Sequence, residues 1–101
     1  KTPTLRHTIK TGKKIKKVAL CTGSGSFLIN KAISKKADAF VTADLKYHDF
    51  YAPNKKLLLI DAGHFETEIF STEWFKDVIS KEFSNVEVII SKSFTNPVKY
   101  Y

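Results

Sequence analysis

The sequence predicts one α/β domain built on a parallel-rich sheet. Strand-like and helix-like segments alternate along its 101 residues, a pattern typical of helices packed on a parallel or mixed sheet. Residues 57–60 form a continuous apolar run, which is typical of a strand buried on both faces. Hydrophobic residues make up 43% of the chain. This content is enough for a single packed core, so we expect a globular domain.

The first half of the chain is predicted to supply two strands and one helix. Residues 5–9 include β-branched side chains and predict an edge strand. The apolar run at 18–21 ends just before Gly23 and predicts a buried strand. Residues 27–33 carry apolar side chains at helical spacing, which predicts a helix with Ser26 as its N-cap.

The second half is predicted to continue the same alternation. Residues 37–42 predict a strand, and residues 44–51 predict a short helix that Pro53 stops. Residues 66–83 predict the longest helix, because apolar side chains recur every four residues along two rows. These rows are Phe70, Trp74 and Val78, and Phe75, Ile79 and Phe83. The apolar run at 86–90 predicts a last strand.

The chain is basic, with 17 Lys and Arg against 10 Asp and Glu and a net charge of +7. A basic surface can bind nucleic acid. Arg6 is the only arginine, however, and arginine is the residue that binds phosphate and guanine in bidentate fashion. The composition therefore favours a solvated lysine surface and leaves binding to nucleic acid or an acidic partner as the alternative.

The single cysteine and the length of the apolar runs bear on the cellular setting. Cys21 has no partner for an internal disulfide, and a lone thiol favours a reducing compartment, most simply the cytoplasm. Its place at the end of an apolar run favours a buried structural cysteine. No apolar run approaches the roughly 20 residues that cross a bilayer. The sequence lacks Met, so we expect a domain cut from a longer protein or a processed product.

Residues capable of chemistry follow three of the predicted strands. These loops are residues 23–26, residues 42–48 and residues 61–68. In open α/β sheets, ligands bind at the carboxyl ends of the strands. If the strands are parallel neighbours, the three loops share one rim.

His64 and Glu68 are the strongest candidates for metal ligands. If a helix starts near Gly63, residues four apart lie on one face with their Cβ atoms roughly 5–6 Å apart. An imidazole nitrogen and a carboxylate oxygen could then share one divalent ion at about 2.0–2.2 Å. The alternative is that Glu66 and Glu68 stabilise the helix dipole and that His64 is an ordinary exposed loop residue.

Two further groups at this rim remain open between a functional and a structural role. Asp44 and His48 are four apart and could bind metal, act as acid and base, or bind substrate. Alternatively, Asp44 caps a short helix and His48 is solvated. Gly23, Ser24 and Gly25 resemble an anion cradle but match neither nucleotide-binding glycine motif. A tight turn followed by a helix cap is the interpretation that these residues alone favour.

Taken together, these segments resemble the Nif-three-like dinuclear-metal-centre family, whose members are commonly named GTP cyclohydrolase 1 type 2 homologues. Three ordered motifs carry the resemblance: VALCTGSGS at 18–26, ADAFVTADLKYHD at 37–49 and IDAGHFETE at 60–68. The TNP at 95–97 resembles the family's C-terminal ending. The resemblance runs from about Leu5 to the last residue. One departure is Ala43, where the family usually has Gly.

This resemblance implies a three-layer α/β sandwich that forms the C-terminal lobe of a two-lobed protein, with residues 1–101 as one domain. It implies two divalent ions between the lobes, with His64 and Glu68 as the ligands from this lobe. The N-terminal lobe brings a His-His pair and an Asp, which this chain lacks. Asp44 and His48 fall in a segment that lines the same cleft. The resemblance also implies ring-shaped hexamers.

The function expected from the resemblance is that of half a metal centre. A set of His and carboxylate ligands suits Zn, Fe or Mn. The complete site could activate water for hydrolysis of nucleotides or phosphoesters, whereas this lobe alone is expected to be inactive. The alternative is a regulatory module that binds protein or nucleic acid and carries a structural metal.

Overall fold

The computed structural model describes residues 4–93 and 95–100, and a four-stranded sheet lies at the centre of this part of the chain. The strands are β1 (Arg6–His7), β2 (Val18–Ser24), β3 (Ala39–Ala43) and β4 (Leu58–Asp61), in the order β1-β4-β3-β2. Strands β2, β3 and β4 are parallel, and β1 pairs antiparallel with β4. The predicted α/β fold with a largely parallel, mixed sheet is confirmed.

The described helices are α1 (Ile29–Ser34), α2 (His64–Glu68) and α3 (Ser71–Glu82), with 3₁₀ helices at Ser26–Leu28 and Tyr47–Tyr51. The prediction of Ser26 as an N-cap is wrong. Ser26 is itself the first residue of a 3₁₀ helix, and Gly25 precedes it without a side-chain cap. The long helix predicted at residues 66–83 is two helices, because α2 ends at Glu68 with Ile69 as its C-cap and α3 starts after Phe70. None of the described helices is long and apolar enough to span a membrane.

The core lies between one face of the sheet and α1. Phe40 and Leu59 are neighbours across β3 and β4, and both are almost fully buried. They pack with Ile29 and Ala32 of α1 and with Leu57. Burying side chains of this size stabilises the fold by about 1.5–3 kcal/mol each. Cys21 is half-buried at the edge of this cluster, so it packs as a structural residue without being fully enclosed.

The prediction of a last strand at residues 86–90 is wrong for this chain. The segment pairs with no strand among the described residues, because a strand forms only where a neighbour supplies backbone partners. It follows α3, a helix that buries none of its own residues. The apolar composition at 86–90 predicted the tendency to extend but not the presence of a neighbour.

Candidate metal site

The ends of β2 and β3 meet α2. The backbone N–H of Gly23 donates to Thr67 Oγ1 over 2.9 Å. The carbonyl of Gly23 accepts a 3.1 Å hydrogen bond from Thr42 Oγ1, which is fully buried. One glycine thus joins the three loops that the sequence places at the carboxyl ends of the strands. The structure brings residues 23–26, 42–44 and 61–68 to one rim.

A sharp turn at Gly63 positions His64 at the start of α2. Gly63 has a φ of +87°, in a region that residues with a Cβ rarely adopt. Its N–H donates to Asp61 Oδ1 over 3.1 Å, which ties the turn to the end of β4. A Cβ atom at this position would lie 2.1 Å from Glu66 Oε2, so a larger residue would have to displace that carboxylate. The helix consequently begins with His64 and Glu68 on one face.

His64 lies between two carboxylates. Its Nδ1 is 2.5 Å from Asp44 Oδ2, and its Nε2 is 3.2 Å from Glu68 Oε2. The three side chains are about half exposed, at 48%, 48% and 49%. A row of carboxylate, imidazole and carboxylate therefore faces solvent, with Asp44 at Nδ1 and Glu68 at Nε2.

The two carboxylates make this imidazole more basic. The hydrogen bond to Asp44 raises the pKa of His64 above its usual value, and the negative charges of Asp44 and Glu68 act in the same direction. Slight burial opposes them. The surroundings thus favour positive charge at Nε2. The same negative charges attract a metal cation, which could bind Nε2 in place of the proton.

His64 and Glu68 fit a divalent metal in both geometry and chemistry. Two ligand atoms that bind one ion at about 2.1 Å, with angles near 90–110°, lie about 3.0–3.4 Å apart. The observed separation of 3.2 Å falls within that range. A carboxylate that accepts a hydrogen bond from the other ring nitrogen is the usual partner of a metal-bound histidine. Asp44 occupies that position.

The described residues supply only these two ligands. No group of three or more His, Cys, Asp or Glu side chains in residues 4–93 and 95–100 converges as a metal site. Asp44 faces the opposite ring nitrogen, so it orients His64 and does not add a third donor beside Nε2. Further ligands would have to come from another part of the protein or from water.

The glycine loop supports the His64–Glu68 pair. A Cβ atom at Gly23 would lie 2.3 Å from Glu68 Oε1 and 3.1 Å from His64 Nε2, and Gly23 has a φ of +62°. Ser24 is exposed at the end of β2. A Cβ atom at Gly25 would lie 2.2 Å from Thr42 Oγ1, so this glycine allows close packing. The loop faces a carboxylate, an arrangement that does not suit an anion cradle.

His48 and Asp44, which the sequence pairs by spacing, separate in the structure. His48 is exposed in the 3₁₀ helix, and its ring contacts the ring of Tyr47 edge-on at 5.4 Å. It has no described contact with the row that contains His64. The structural alternative for Asp44 is wrong as well, because Lys46 is the N-cap and Asp49 Oδ2 accepts its N–H over 2.8 Å. Asp44 instead has a φ of +56° and faces His64.

Asp61 is the supporting residue that sequence reasoning missed. It is 6% exposed, and its Oδ2 accepts hydrogen bonds from the Leu45 N–H at 3.0 Å and from the Arg6 guanidinium. Since Oδ1 accepts from Gly63, one carboxylate holds both the turn after Asp44 and the turn before His64. An Asp directly after a buried apolar run, in a chain with one arginine, was the available signal.

Two hollows flank His64. One, of about 380 Å³, is lined by Arg6, Asp61, Glu66 and Tyr100 among others. The other, of about 490 Å³, extends from Glu68 to residues 95–98. Asn96 belongs to the lining of both hollows. It is buried and donates to Glu66 Oε1 at 3.4 Å, which fixes the tail beside the site.

Sequence comparison identifies the family to which these features belong. A profile of the Duf34/NIF3 (NGG1p interacting factor 3) family matches residues 1–97. The chain belongs to this family. Proteins of Campylobacter jejuni and Staphylococcus aureus strain MSSA476, each named GTP cyclohydrolase 1 type 2 homolog, are similar to it. The first is 43% identical over 89% of this chain and 36% of its own length, and the second is 33% identical over 97% and 28%.

Solved structures of Duf34/NIF3 relatives have the same fold. The crystal structure of Staphylococcus aureus protein SA1388 matches 99% of this chain with a TM-score of 0.87 and 30% identity. A Bacillus cereus protein related to NIF3 matches 99% of the chain with a TM-score of 0.75 and 28% identity. The match covers 34% and 29% of those chains. This chain therefore spans about a third of the length of the relatives that it matches.

Proposed function

We propose that this chain supplies half of a dinuclear divalent-metal centre, with His64 and Glu68 as its ligands. The observation that carries the proposal is the row Asp44–His64–Glu68, with separations of 2.5 Å and 3.2 Å. Asp44 orients the ring, and Gly23 leaves room for the Glu68 carboxylate. The ions best suited to this donor set are Zn, Fe or Mn.

The remaining ligands are proposed to come from the N-terminal lobe of the same polypeptide, in a cytoplasmic protein that assembles as a hexamer. The relatives' additional length supports a second lobe, because this chain accounts for only 28–36% of the relatives named above. When bound, the ions would act as Lewis acids and lower the pKa of a water molecule. Nucleotides or phosphoesters are the proposed substrates. The name GTP cyclohydrolase 1 type 2 homolog, carried by relatives, is compatible with a nucleotide.

The residues of this chain would have three roles in such a reaction. His64 and Glu68 hold an ion, and Asp44 keeps the proton of His64 on Nδ1 so that Nε2 is free to bind. The hollow of about 380 Å³ next to His64 offers Arg6 and Tyr100 as polar contacts for a substrate. The tail that contains Asn96 lines the second hollow beside His64 and Glu68, where it would bound one side of the substrate site.

The direct test is the metal content and affinity of the full-length parent protein. His64→Ala and Glu68→Ala should each remove one or both of two bound ions. His7→Ala and Glu73→Ala are matched controls, since both residues are exposed and lie on other elements, and they should keep full occupancy. Full metal content in the His64 and Glu68 variants would refute the proposal.

A second candidate function, nucleic-acid binding, is favoured by the distribution of lysines. Exposed lysines precede each parallel strand: Lys13, Lys14, Lys16 and Lys17 before β2, Lys35 and Lys36 before β3, and Lys55 and Lys56 before β4. The amino ends of parallel strands share one edge, opposite the rim of His64. These eight residues, which we call the basic edge, form a concentrated positive surface.

The basic edge predicts binding that weakens steeply with salt. A plot of log affinity against log salt concentration has a negative slope. Each lost phosphate contact makes that slope shallower by about 0.9 for duplex DNA. Neutralising Lys14, Lys36 and Lys55 to Gln should therefore weaken binding to a DNA duplex and flatten this slope. The same change at Lys76, Lys81 and Lys92, which lie on or after α3, should have little effect. Equal effects from both sets would indicate nonspecific attraction by net charge.

A further inference from the structure

Helix α3 and the segment after it expose several large apolar side chains. We call residues 71–90 the arm. Its large apolar side chains are between 37% and 77% exposed: Trp74, Phe75, Val78, Ile79, Phe83, Val86 and Ile89. Exposed apolar groups of this density on a soluble protein mark a contact surface. None of the six residues in the two rows of the α3 stripe, predicted from four-residue spacing, is buried among the described residues, and each is at least 37% exposed.

A helix in this state needs support from outside the described fold. Isolated helices shorter than about 12–15 residues are marginal in water, because packing of an apolar face supplies most of their stability. Helix α3 has 12 residues and buries none of them. Its indole and phenyl rings at Trp74 and Phe75 contact each other edge-on at 5.1 Å but do not reach the core cluster.

The segment after α3 needs a partner of a different kind. Val86, Val88, Ile89 and Ile90 favour an extended conformation. No backbone hydrogen bond joins residues 87–90 to any other part of the described chain. The missing partner is therefore a sheet edge, which would pair with the backbone, next to an apolar surface that would cover α3.

We infer that the arm docks onto the second lobe of the same polypeptide, where residues 86–90 add a strand to that lobe's sheet and α3 covers its face. Two observations favour this occupant. Relatives matched over 97–99% of this chain are about three times longer, so most of their polypeptide lies outside it. The crystal structure of such a longer relative matches 99% of this chain with a TM-score of 0.87, so the same arrangement occurs beside that additional polypeptide.

The place of the arm in the chain gives the docking a consequence for the metal site. Ser71 begins α3 three residues after Glu68, and Ser71 Oγ donates to the Glu68 carbonyl over 2.7 Å. A lobe that holds α3 is thereby fixed beside a metal ligand. This step rests on the proposed two-lobed metal centre, and it assigns the arm as the element that brings the other ligands to His64 and Glu68.

Amide hydrogen exchange in the full-length parent protein tests the docking without any substitution. Amides 87–90 should exchange about a thousandfold or more slowly than in an unstructured peptide, as for strand amides that open only with a large unit. The protection should be independent of protein concentration. Unprotected amides would refute the docking. Protection that appears only at high concentration, with a dimer mass, would assign the arm to a second copy.

Matched variants identify the surface that the lobe covers. Phe75 and Phe27 are 54% and 76% exposed, on α3 and on the 3₁₀ helix beside α1. Phe75→Ala should lower the melting temperature of the parent protein by several degrees, whereas Phe27→Ala should leave it nearly unchanged. Equal shifts would contradict the inference. Loss of bound metal in His64→Ala is a separate readout, so protection at 87–90 without any metal would refute the metal proposal and leave the docking intact.

Discussion

His64 Nδ1 lies 2.5 Å from Asp44 Oδ2, although the two residues are 20 positions apart on different loops. The contact depends on the parallel pairing of β3 with β4, which brings both strand ends to one edge. It also depends on the left-handed backbone of Asp44, with a φ of +56°. Aspartate and asparagine tolerate this conformation better than most residues.

Asp44→Asn should weaken metal affinity and leave the fold intact. Asparagine keeps the shape and tolerates the positive φ, but it loses the charge that orients and polarises His64. Loss of such an outer partner typically reduces affinity by about 10–100-fold. Titration calorimetry of the parent protein would measure this change. Asp49→Asn, at a cap on the 3₁₀ helix, is the control. Equal affinities for both variants would exclude an orienting role.

Gly23→Ala should damage the site far more than Gly12→Ala. Both glycines have positive φ, at +62° and +74°, so both variants carry backbone strain of about 1 kcal/mol or more. A Cβ at Gly23 also meets Glu68 Oε1 at 2.3 Å, whereas a Cβ at Gly12 meets nothing within 4 Å. Metal content and thermal melting, measured together, separate strain from steric displacement. Normal metal binding in Gly23→Ala would show that the Glu68 carboxylate can move without loss.

Asp61→Ala should destabilise the fold by about 2–4 kcal/mol, because it leaves buried donors unsatisfied. The substitution removes the acceptor for Arg6, for the Leu45 N–H and for the Gly63 N–H. Urea unfolding midpoints give the difference. Asp49→Ala removes one exposed cap and should cost less than half as much. A small loss in Asp61→Ala would mean that water replaces the carboxylate.

Asp38 should give the protein a stability component that disappears in acid. Hydrogen bonds from the Lys16 and Lys17 N–H groups hold the pKa of Asp38 below its usual value. The charged carboxylate stabilises the fold above its unfolded pKa, and this contribution is lost as pH falls through the lower folded value. Asp38→Asn should be less stable than the parent near neutral pH, and the difference should close as pH falls through the lowered pKa of Asp38. Asp77→Asn, on α3, is the control for the loss of one exposed negative charge.

The sequence predicts the sheet well because its strands are short and strongly patterned. The apolar runs at 18–21 and 57–60 lie within one residue of the start of β2 and β4. Burial inside the parallel sheet selects the run in β4. Strand β2 is an edge strand in which Val18 and Leu20 are 56% and 68% exposed, so the prediction of a buried strand at 18–21 is wrong. The segment at 86–90 has a similar composition and forms no strand. The difference is the presence of a neighbour, which composition does not encode.

Of the candidate site, only the pair formed by His64 and Glu68 could be predicted from the sequence. The spacing of His64 and Glu68 in a helix follows from regular geometry, and the observed Nε2 to Oε2 separation of 3.2 Å agrees with it. The contacts of Asp44 and Asp61 depend on loop conformations at positive φ and on strand register. These long-range features are set by tertiary packing. The four-residue spacing of Asp44 and His48 carried no information, because only residues 47–51 are helical there.

The ion pair between Arg6 and Asp61 has a consequence for how the protein matures. These residues are 55 positions apart, so β1 reaches its place only after β4 and most of the sheet have been made. Closing such a long loop is among the slower steps of folding. Since Asp61 also secures the turns on both sides of His64, the imidazole acquires its final orientation late. A metal ion that arrives while the polypeptide is still emerging from the ribosome would meet His64 and Glu68 before their side chains are held in place, and would bind them weakly.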